Sequence, residues 1–239
     1  RTLVGNVGLG HVRYATAGAA SNEEEAQPFY VNAPYGIILV HNGNLTNTRE
    51  LTNDLFRIDR RHVNTSSDTE LLLNVLATEL QGTVSGTELG PEHVFTAVEN
   101  LHKRVEGSYA TIAIIAGHGL LAFRDPFGIR PLILGKRPAE NGKFDYVVAS
   151  ESLVLESGGY EIVRDVEPGE AIFITKDGEL FSRQCAENPI LRPCSFEYVY
   201  LARPDSVMNG ISVYETRLRM GDRLLFDMGG VQKEARITS

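Results

Sequence analysis

Within residues 36–41 the chain places four apolar side chains in a row, Ile37, Ile38, Leu39 and Val40, where a half-exposed strand would alternate. Such a run reads as a strand covered on both faces. An earlier stretch, residues 7–12, also reads as a short strand. Two helices are expected next. The first spans residues 46–56. The second, over residues 68–81, carries Leu72, Val75, Leu76, Glu79 and Leu80 at helical spacing, with Ser67 or Asp68 as a natural N-cap. A third helix opens with Pro91 in its first turn and sets Val94, Phe95, Val98, Leu101 and Val105 on one face before Gly107 closes it.

From Ser108 the period becomes that of strands, with segments at residues 109–116, 119–124, 132–134, 146–150, 161–164, 170–175 and 180–184. Breakers at residues 117–119 and 125–128 and at Asp177-Gly178 leave only short connections, so neighbouring strands are expected to run antiparallel. Doubly covered strands beside amphipathic helices predict an α+β fold of stacked layers, two sheets facing each other with helices outside. A last helix is expected over residues 212–228, with Val213, Leu218, Leu224 and Leu225 apolar. Residues 229–239 have no periodicity and read as an unpacked tail.

Composition narrows the function classes. The 239 residues are 42% apolar and 23% charged, as in an ordinary globular protein. The longest apolar run, residues 110–116, falls far short of the roughly 18 to 20 residues that span a bilayer, so no membrane role is expected. A net charge of −8 would repel a polyphosphate backbone, so no nucleic-acid partner is expected either. Two cysteines, Cys185 and Cys194, cannot build a disulfide framework, and a reducing cytoplasm fits them. The chain begins at Arg1 without an initiator Met, immediately before an apolar pattern, and is expected to be a fragment.

Several clusters could carry chemistry. After Gly8-Leu9-Gly10 the chain enters a small-residue loop holding Arg13, Tyr14 and Thr16. The planar guanidinium of Arg13 suits bidentate capture of a carboxylate, and Thr16 could hold a second polar group of the same ligand; a surface ion pair is the plainer alternative. His41-Asn42-Gly43-Asn44 ends the apolar strand. Asn-Gly commonly makes a hairpin turn, but the next segment is a helix and not a partner strand. An amide side chain beside an unobstructed glycine N–H is also a donor pair for an oxyanion. Asp68 either supports the start of its helix or binds a ligand amine. The Asp125-Pro126-Phe127-Gly128 segment is turn chemistry, beyond which only Arg130 could do more. Cys185 and Cys194 lack metal-ligand spacing, Glu23, Glu24 and Glu25 read as a solvated charge run, and His62, His93, His102 and His118 show no ligand pattern.

Taken together, these segments resemble the glutamine amidotransferase domain of the amidophosphoribosyltransferase family. The resemblance rests on Gly10-His11-Val12-Arg13-Tyr14 with Thr16-Ala17-Gly18, then Glu25-Ala26-Gln27-Pro28-Phe29, His41-Asn42-Gly43-Asn44-Leu45, Ser67-Asp68, Phe123-Arg124-Asp125-Pro126 with Gly128-Ile129-Arg130-Pro131, and Ala149-Ser150-Glu151-Ser152. Phe196-Glu197-Tyr198-Val199-Tyr200 and Ala202-Arg203-Pro204-Asp205-Ser206 separate it from the glucosamine-phosphate synthase and asparagine synthetase relatives. The resemblance implies the N-terminal-nucleophile hydrolase architecture, a four-layer α/β/β/α sandwich, here lacking its first strand. It implies an N-terminal cysteine that attacks glutamine with its own α-amine as base, and ammonia passed to phosphoribosyl pyrophosphate to give phosphoribosylamine. By position it puts Arg13 and Thr16 at the glutamine α-carboxylate, Asn42 and Gly43 in the oxyanion hole and Asp68 on the α-amino group, with Tyr14 and His41 in the same wall.

The same resemblance implies residues 1–206 as the glutaminase domain, residues 207–228 as the start of a linker helix toward a phosphoribosyltransferase domain, and residues 229–239 as an unassigned tail. The nucleophilic cysteine is expected before Arg1, leaving this fragment inactive. Mg2+ is expected only in the phosphoribosyltransferase domain, an iron–sulfur cluster through Cys194 is not predicted, and the full enzyme is expected to be a homo-oligomer. The rival readings are another amidotransferase, such as a glucosamine-phosphate synthase, and a non-catalytic domain that binds glutamine or a partner.

Overall fold

In the computed structural model, residues 5–12, 25–84, 88–139 and 142–227 are described. The elements expected from residue 36 to residue 228 are present in that order, joined by further short ones. Short strand β1 (Phe29–Val31) leads into β2 (Ile37–Leu45), followed by helices α1 (Thr48–Arg57), α2 (Asp68–Thr83) and α3 (Pro91–Arg104). Strands β3 (Gly107–Ile115), β4 (Gly119–Arg124), β5 (Ile133–Pro138) and β6 (Phe144–Ala149) come next, then helix α4 (Ser152–Ser157) and strands β7 (Glu161–Asp165), β8 (Glu170–Thr175) and β9 (Leu180–Gln184). A helical turn at Glu197–Leu201, the hairpin of β10 (Val207–Met208) and β11 (Ile211–Ser212), and helix α5 (Val213–Asp227) complete it.

Six strands form one antiparallel sheet in the order β1-β2-β3-β4-β8-β9, and β6-β5-β7 form a second. Strand alternation sorts the core into two parts. On one face of the large sheet Ile37, Leu39, Tyr109, Ala113, Leu121, Phe123 and Phe173 meet α1, α2 and α3. On the other, Ala110, Ala122 and Ile172 meet Leu132, Leu134 and Val166 of the second sheet and its margin. Helix α4 covers the far side of that second sheet, where Leu155 lies so close to Gly135 that a Cβ there would stand 2.5 Å from its Cδ2. The layers are therefore helix, sheet, sheet, helix, as the doubly apolar strands predicted.

The central helix α2 is buried on more than one stripe, with Leu71, Leu72, Leu73, Val75, Leu76 and Leu80 all enclosed. It has β2 beneath it and α1 and α3 at its sides. Truncating one of its fully buried leucines to alanine would cost about 2–5 kcal/mol.

Four expectations need correction. Residues 7–12 form no strand among the described residues, and Val7 and Val12 are 52% and 96% exposed. An apolar run without a ladder neighbour has nothing to satisfy its main chain as a strand. Gly107 does not close α3; that helix ends at Arg104 and Gly107 opens β3 with φ +125°. The strand at residues 132–134 begins one residue later and runs to Pro138 because β6 and β7 pair it on both sides. Helix α5 starts at Val213, since residues 207–212 are spent on the β10–β11 hairpin. Residues 228–239 lie outside the described residues.

Candidate functional site

The polar run His41-Asn42-Gly43-Asn44 does not end β2. The strand continues through it, with Asn42 opposite Ala110, Gly43 opposite Tyr109 and Asn44 opposite Ser108. Two glycines permit this. Gly43 has φ +153°, and a Cβ there would stand 2.0 Å from the Ser108 carbonyl oxygen and 2.7 Å from His41 Nε2. A Cβ on Gly107 would stand 2.4 Å from the Asn44 carbonyl oxygen. Only bare backbones approach this closely, and the pairing extends because both positions lack a side chain.

Register also fixes where the Gly43 N–H points. Asp125 N donates to the Tyr109 carbonyl at 2.8 Å, and Tyr109 N donates to Asp125 Oδ2 at 3.2 Å. A residue in an antiparallel ladder directs its N–H and C=O to the same side, so Tyr109 serves β4 and not Gly43. Gly43 therefore turns its N–H to the opposite edge of β2. On that edge β1 pairs only up to Leu39, and among the described residues no strand pairs the edge at Gly43. The Asn42 side chain, one residue before, is exposed. A main-chain donor and an amide thus sit side by side at an open sheet edge.

His41 lies on the helical face of the sheet and is 3% exposed. Its Nε2–H donates to the Ser108 carbonyl at 3.2 Å, and its Nδ1 accepts from the Thr69 hydroxyl at 3.3 Å. Burial lowers its pKa, the Asp68 carboxylate and the bond to Ser108 oppose that shift, and His11 and Arg130 reinforce it. The ring is therefore neutral, and both its nitrogens are taken up by protein. His41 supports the strand from behind and offers no free atom to a substrate.

Asp68 is the first residue of α2 and does not cap it; no side chain caps that helix at Ser67. Its Oδ2 instead accepts the Leu45 N–H at 3.0 Å, and Oδ1 stands 3.8 Å from His41 Nδ1. The Asp68 carboxylate is thus held beside the end of β2, 24% exposed. Asn42, Gly43, His41 and Asp68 are brought together. Arg13, Tyr14 and Thr16 lie outside the described residues.

The loop after β4 is built by two buried groups. Arg124 donates to the carbonyls of Gly128, Arg130 and Val166, each at 2.7 Å, and to Asn209 Oδ1 at 3.1 Å. Asp125 accepts from Phe127 N at 2.9 Å and from Ile129 N at 3.1 Å. The loop so held presents Arg130, which pairs with Glu197 at 2.6 Å and whose charge reaches His41.

Three participants went unassigned from sequence: Gln27, Thr69 and Ser108. Gln27 Oε1 accepts the His41 N–H at 2.6 Å, and its Nε2 donates to the His41 carbonyl and to Thr69 Oγ1, both at 3.1 Å. Gln27 stands in a segment that carries the resemblance, but nothing local gives any of the three a role, since each acts across 14 or more positions.

Among the described residues no cluster of three or more His, Cys, Asp or Glu could hold a metal ion. Cys185 is buried, with its thiol pushed up to about 12 by desolvation, and suits neither nucleophile nor ligand. Among the described residues no helix is long and apolar enough to cross a membrane.

Comparison with known proteins matches residues 11–157 to a family described as a glutamine amidotransferase domain. The amidophosphoribosyltransferase of Pasteurella multocida is 60% identical over 222 residues, covering 93% of this chain and 44% of the relative. That of Escherichia coli is 55% identical over the same shares. A solved glutamine phosphoribosylpyrophosphate amidotransferase from Bacillus subtilis, complexed with ADP and GMP, superposes with a TM-score of 0.73 at 32% identity, covering 93% of this chain and 44% of that one. The chain thus spans less than half the length of these relatives. The likeness extends to the N-terminal-nucleophile hydrolase fold, in agreement with the layers above.

Proposed function

Because the chain belongs to the glutamine amidotransferase domain family, we propose that it is the glutamine-hydrolysing part of an amidophosphoribosyltransferase, an enzyme of purine biosynthesis. The observation that carries this reading is the open edge of β2, where Asn42 and Gly43 lie two to three positions before Leu45, whose N–H is bound by the Asp68 carboxylate. Two neutral donors at one point suit the negative oxygen of a tetrahedral intermediate, and they act without reorganising during the reaction. An anion a short distance away suits the glutamine α-ammonium group.

In this reading Arg13 and Thr16 hold the α-carboxylate, with Tyr14 in the same wall. Glutamine is bound by both of its charged ends, and its side-chain amide is directed at the donor pair. An N-terminal cysteine attacks that amide, its α-amine serving as base; the unperturbed amine pKa of about 7.7–8.0 leaves a useful fraction neutral. Collapse of the intermediate releases ammonia, and water then frees glutamate from the thioester. The ammonia displaces pyrophosphate from phosphoribosyl pyrophosphate, giving 5-phosphoribosylamine, in a phosphoribosyltransferase domain to which Mg2+ also belongs.

The test is glutamate release by the whole enzyme. Asn42→Ala is expected to lower kcat by about 10²–10³-fold with little change in the KM for glutamine, the signature of a donor used in the transition state. Asp68→Ala is expected to act mainly on KM. Wild-type kinetics in both variants would overturn the proposal.

A further inference from the structure

Strand β1 meets β2 through the pairs Phe29–Leu39, Tyr30–Ile38 and Val31–Ile37. Continued in that register, the main chain of residue 27 would face His41 and that of residue 25 would face Gly43. The main chain does not continue. At the His41 level the side chain of Gln27 takes over, its Oε1 accepting the His41 N–H at 2.6 Å and its Nε2 donating to the His41 carbonyl at 3.1 Å. A carboxamide offers one acceptor and donors in one plane, so it reproduces the two bonds that a strand residue would make.

We propose that Gln27 is a positioning residue of the oxyanion site: its carboxamide completes the β1–β2 ladder at His41 in place of main chain, and so ends the sheet edge one pairing step before Gly43. If β1 ran on as an ordinary strand, its next carbonyl would occupy the Gly43 N–H and leave nothing for a substrate. If the edge frayed earlier, His41 and Gly43 would lose their fixed orientation. Gln27 avoids both outcomes. Its Nε2 also donates to Thr69 Oγ1 at 3.1 Å, and Thr69 in turn donates to His41 Nδ1 at 3.3 Å. The His41 ring lies against Gly43, where an added Cβ would stand 2.7 Å from Nε2. Main chain and ring of His41 are thereby both referred to Gln27, and the ring sets the floor on which Gly43 rests.

This inference rests on the reading of Gly43 and Asn42 as oxyanion donors, and the experiment separates the two. Glutamine hydrolysis is measured in the whole enzyme for wild type, Gln27→Ala, Gln27→Glu and Asn42→Ala, with amide hydrogen exchange at His41 and Gly43. Gln27→Ala is expected to lower kcat by about 10–100-fold while KM for glutamine stays within about threefold, because a displaced donor weakens the transition state and not the ground state. The His41 amide is expected to exchange faster in that variant. Gln27→Glu keeps the acceptor but sets an ionised oxygen against the His41 carbonyl, so its kcat is expected to recover as the pH falls and the carboxyl regains a proton. A wild-type kcat in Gln27→Ala, or a kcat loss matched by an equal rise in KM, overturns the role of Gln27 while Asn42→Ala remains impaired. Should Asn42→Ala hydrolyse glutamine like wild type, the oxyanion reading itself fails.

Discussion

The carboxylate of Asp68, at the start of α2, accepts the main-chain N–H of Leu45, at the end of β2, at 3.0 Å. One side chain thus ties the central helix to the strand that carries Asn42 and Gly43. The contact uses one oxygen and leaves the group 24% exposed, so Asp68 can hold the strand and face a ligand at once.

Asp68→Ala and Asp68→Asn are expected to separate these two duties. The alanine variant leaves the Leu45 N–H without its acceptor and should lose about 1–3 kcal/mol of stability in a denaturant titration. The asparagine variant keeps an acceptor oxygen and should retain most of that stability. Both should raise the KM for glutamine at least about tenfold, since neither presents an anion to the substrate ammonium.

Gly43→Ala is expected to abolish turnover even if the protein folds. The new Cβ would lie 2.0 Å from the Ser108 carbonyl oxygen and 2.6 Å from its carbonyl carbon, which are backbone atoms that cannot rotate aside. The β2–β3 ladder must part at the donor, and φ +153° disfavours a side chain there in any case. Glutamate release should fall by more than about 10²-fold, in line with loss of an oxyanion donor. A Gly43→Ala enzyme with native kcat would contradict the close approach.

A half-buried histidine away from the site predicts a pH effect on stability. His102 Nε2–H donates to the Gly169 carbonyl at 3.3 Å, and its Nδ1 accepts from the Tyr109 hydroxyl at 2.8 Å. Burial pushes its pKa down to about 4, against an ordinary value of 6.5. The folded state thus prefers the neutral ring, and between these pH values the unfolded chain binds the extra proton. The stabilisation is complete above about pH 6.5 and drains away as the pH falls toward about 4, by on the order of 3 kcal/mol in all. His41, also lowered by burial, adds a slope of the same sign. The unfolding free energy of wild type should therefore approach that of His102→Gln as the pH is lowered from about 7 to 4.5. A constant gap would show that His102 does not titrate this way.

Arg124→Met is expected to be among the most damaging single changes outside the site. It keeps a long apolar stem but leaves the Gly128, Arg130 and Val166 carbonyls without their donor, and it uncovers Asp125. The two buried acceptors among them, Gly128 and Val166, would alone cost about 2–6 kcal/mol when left bare. Chemical denaturation should show it, together with loosening of the 125–131 loop that presents Arg130.

Much of this molecule was legible in its residues. The run from Ile37 to Val40 announced a strand covered on both faces, and the spacing of Val94, Phe95, Val98 and Leu101 announced α3, because burial of a regular element imposes its period directly on neighbouring positions. Strands β4, β8 and β9 fall at the expected residues because turns bracket them closely. Asn42, Gly43 and Asp68 were candidates by residue type, each with a plain structural alternative, and only the family resemblance gave them roles. What tertiary structure alone decided is how these parts meet. That β2 runs on to Leu45 depends on Gly107 lying opposite it, and Gly107 is 62 positions from Leu45. That His41 faces inward, and that Gln27 finishes an edge its own main chain leaves, depend on side chains crossing from one element to another. Local sequence carries no periodic trace of a bond between distant positions, so such relationships exist only once the layers have closed.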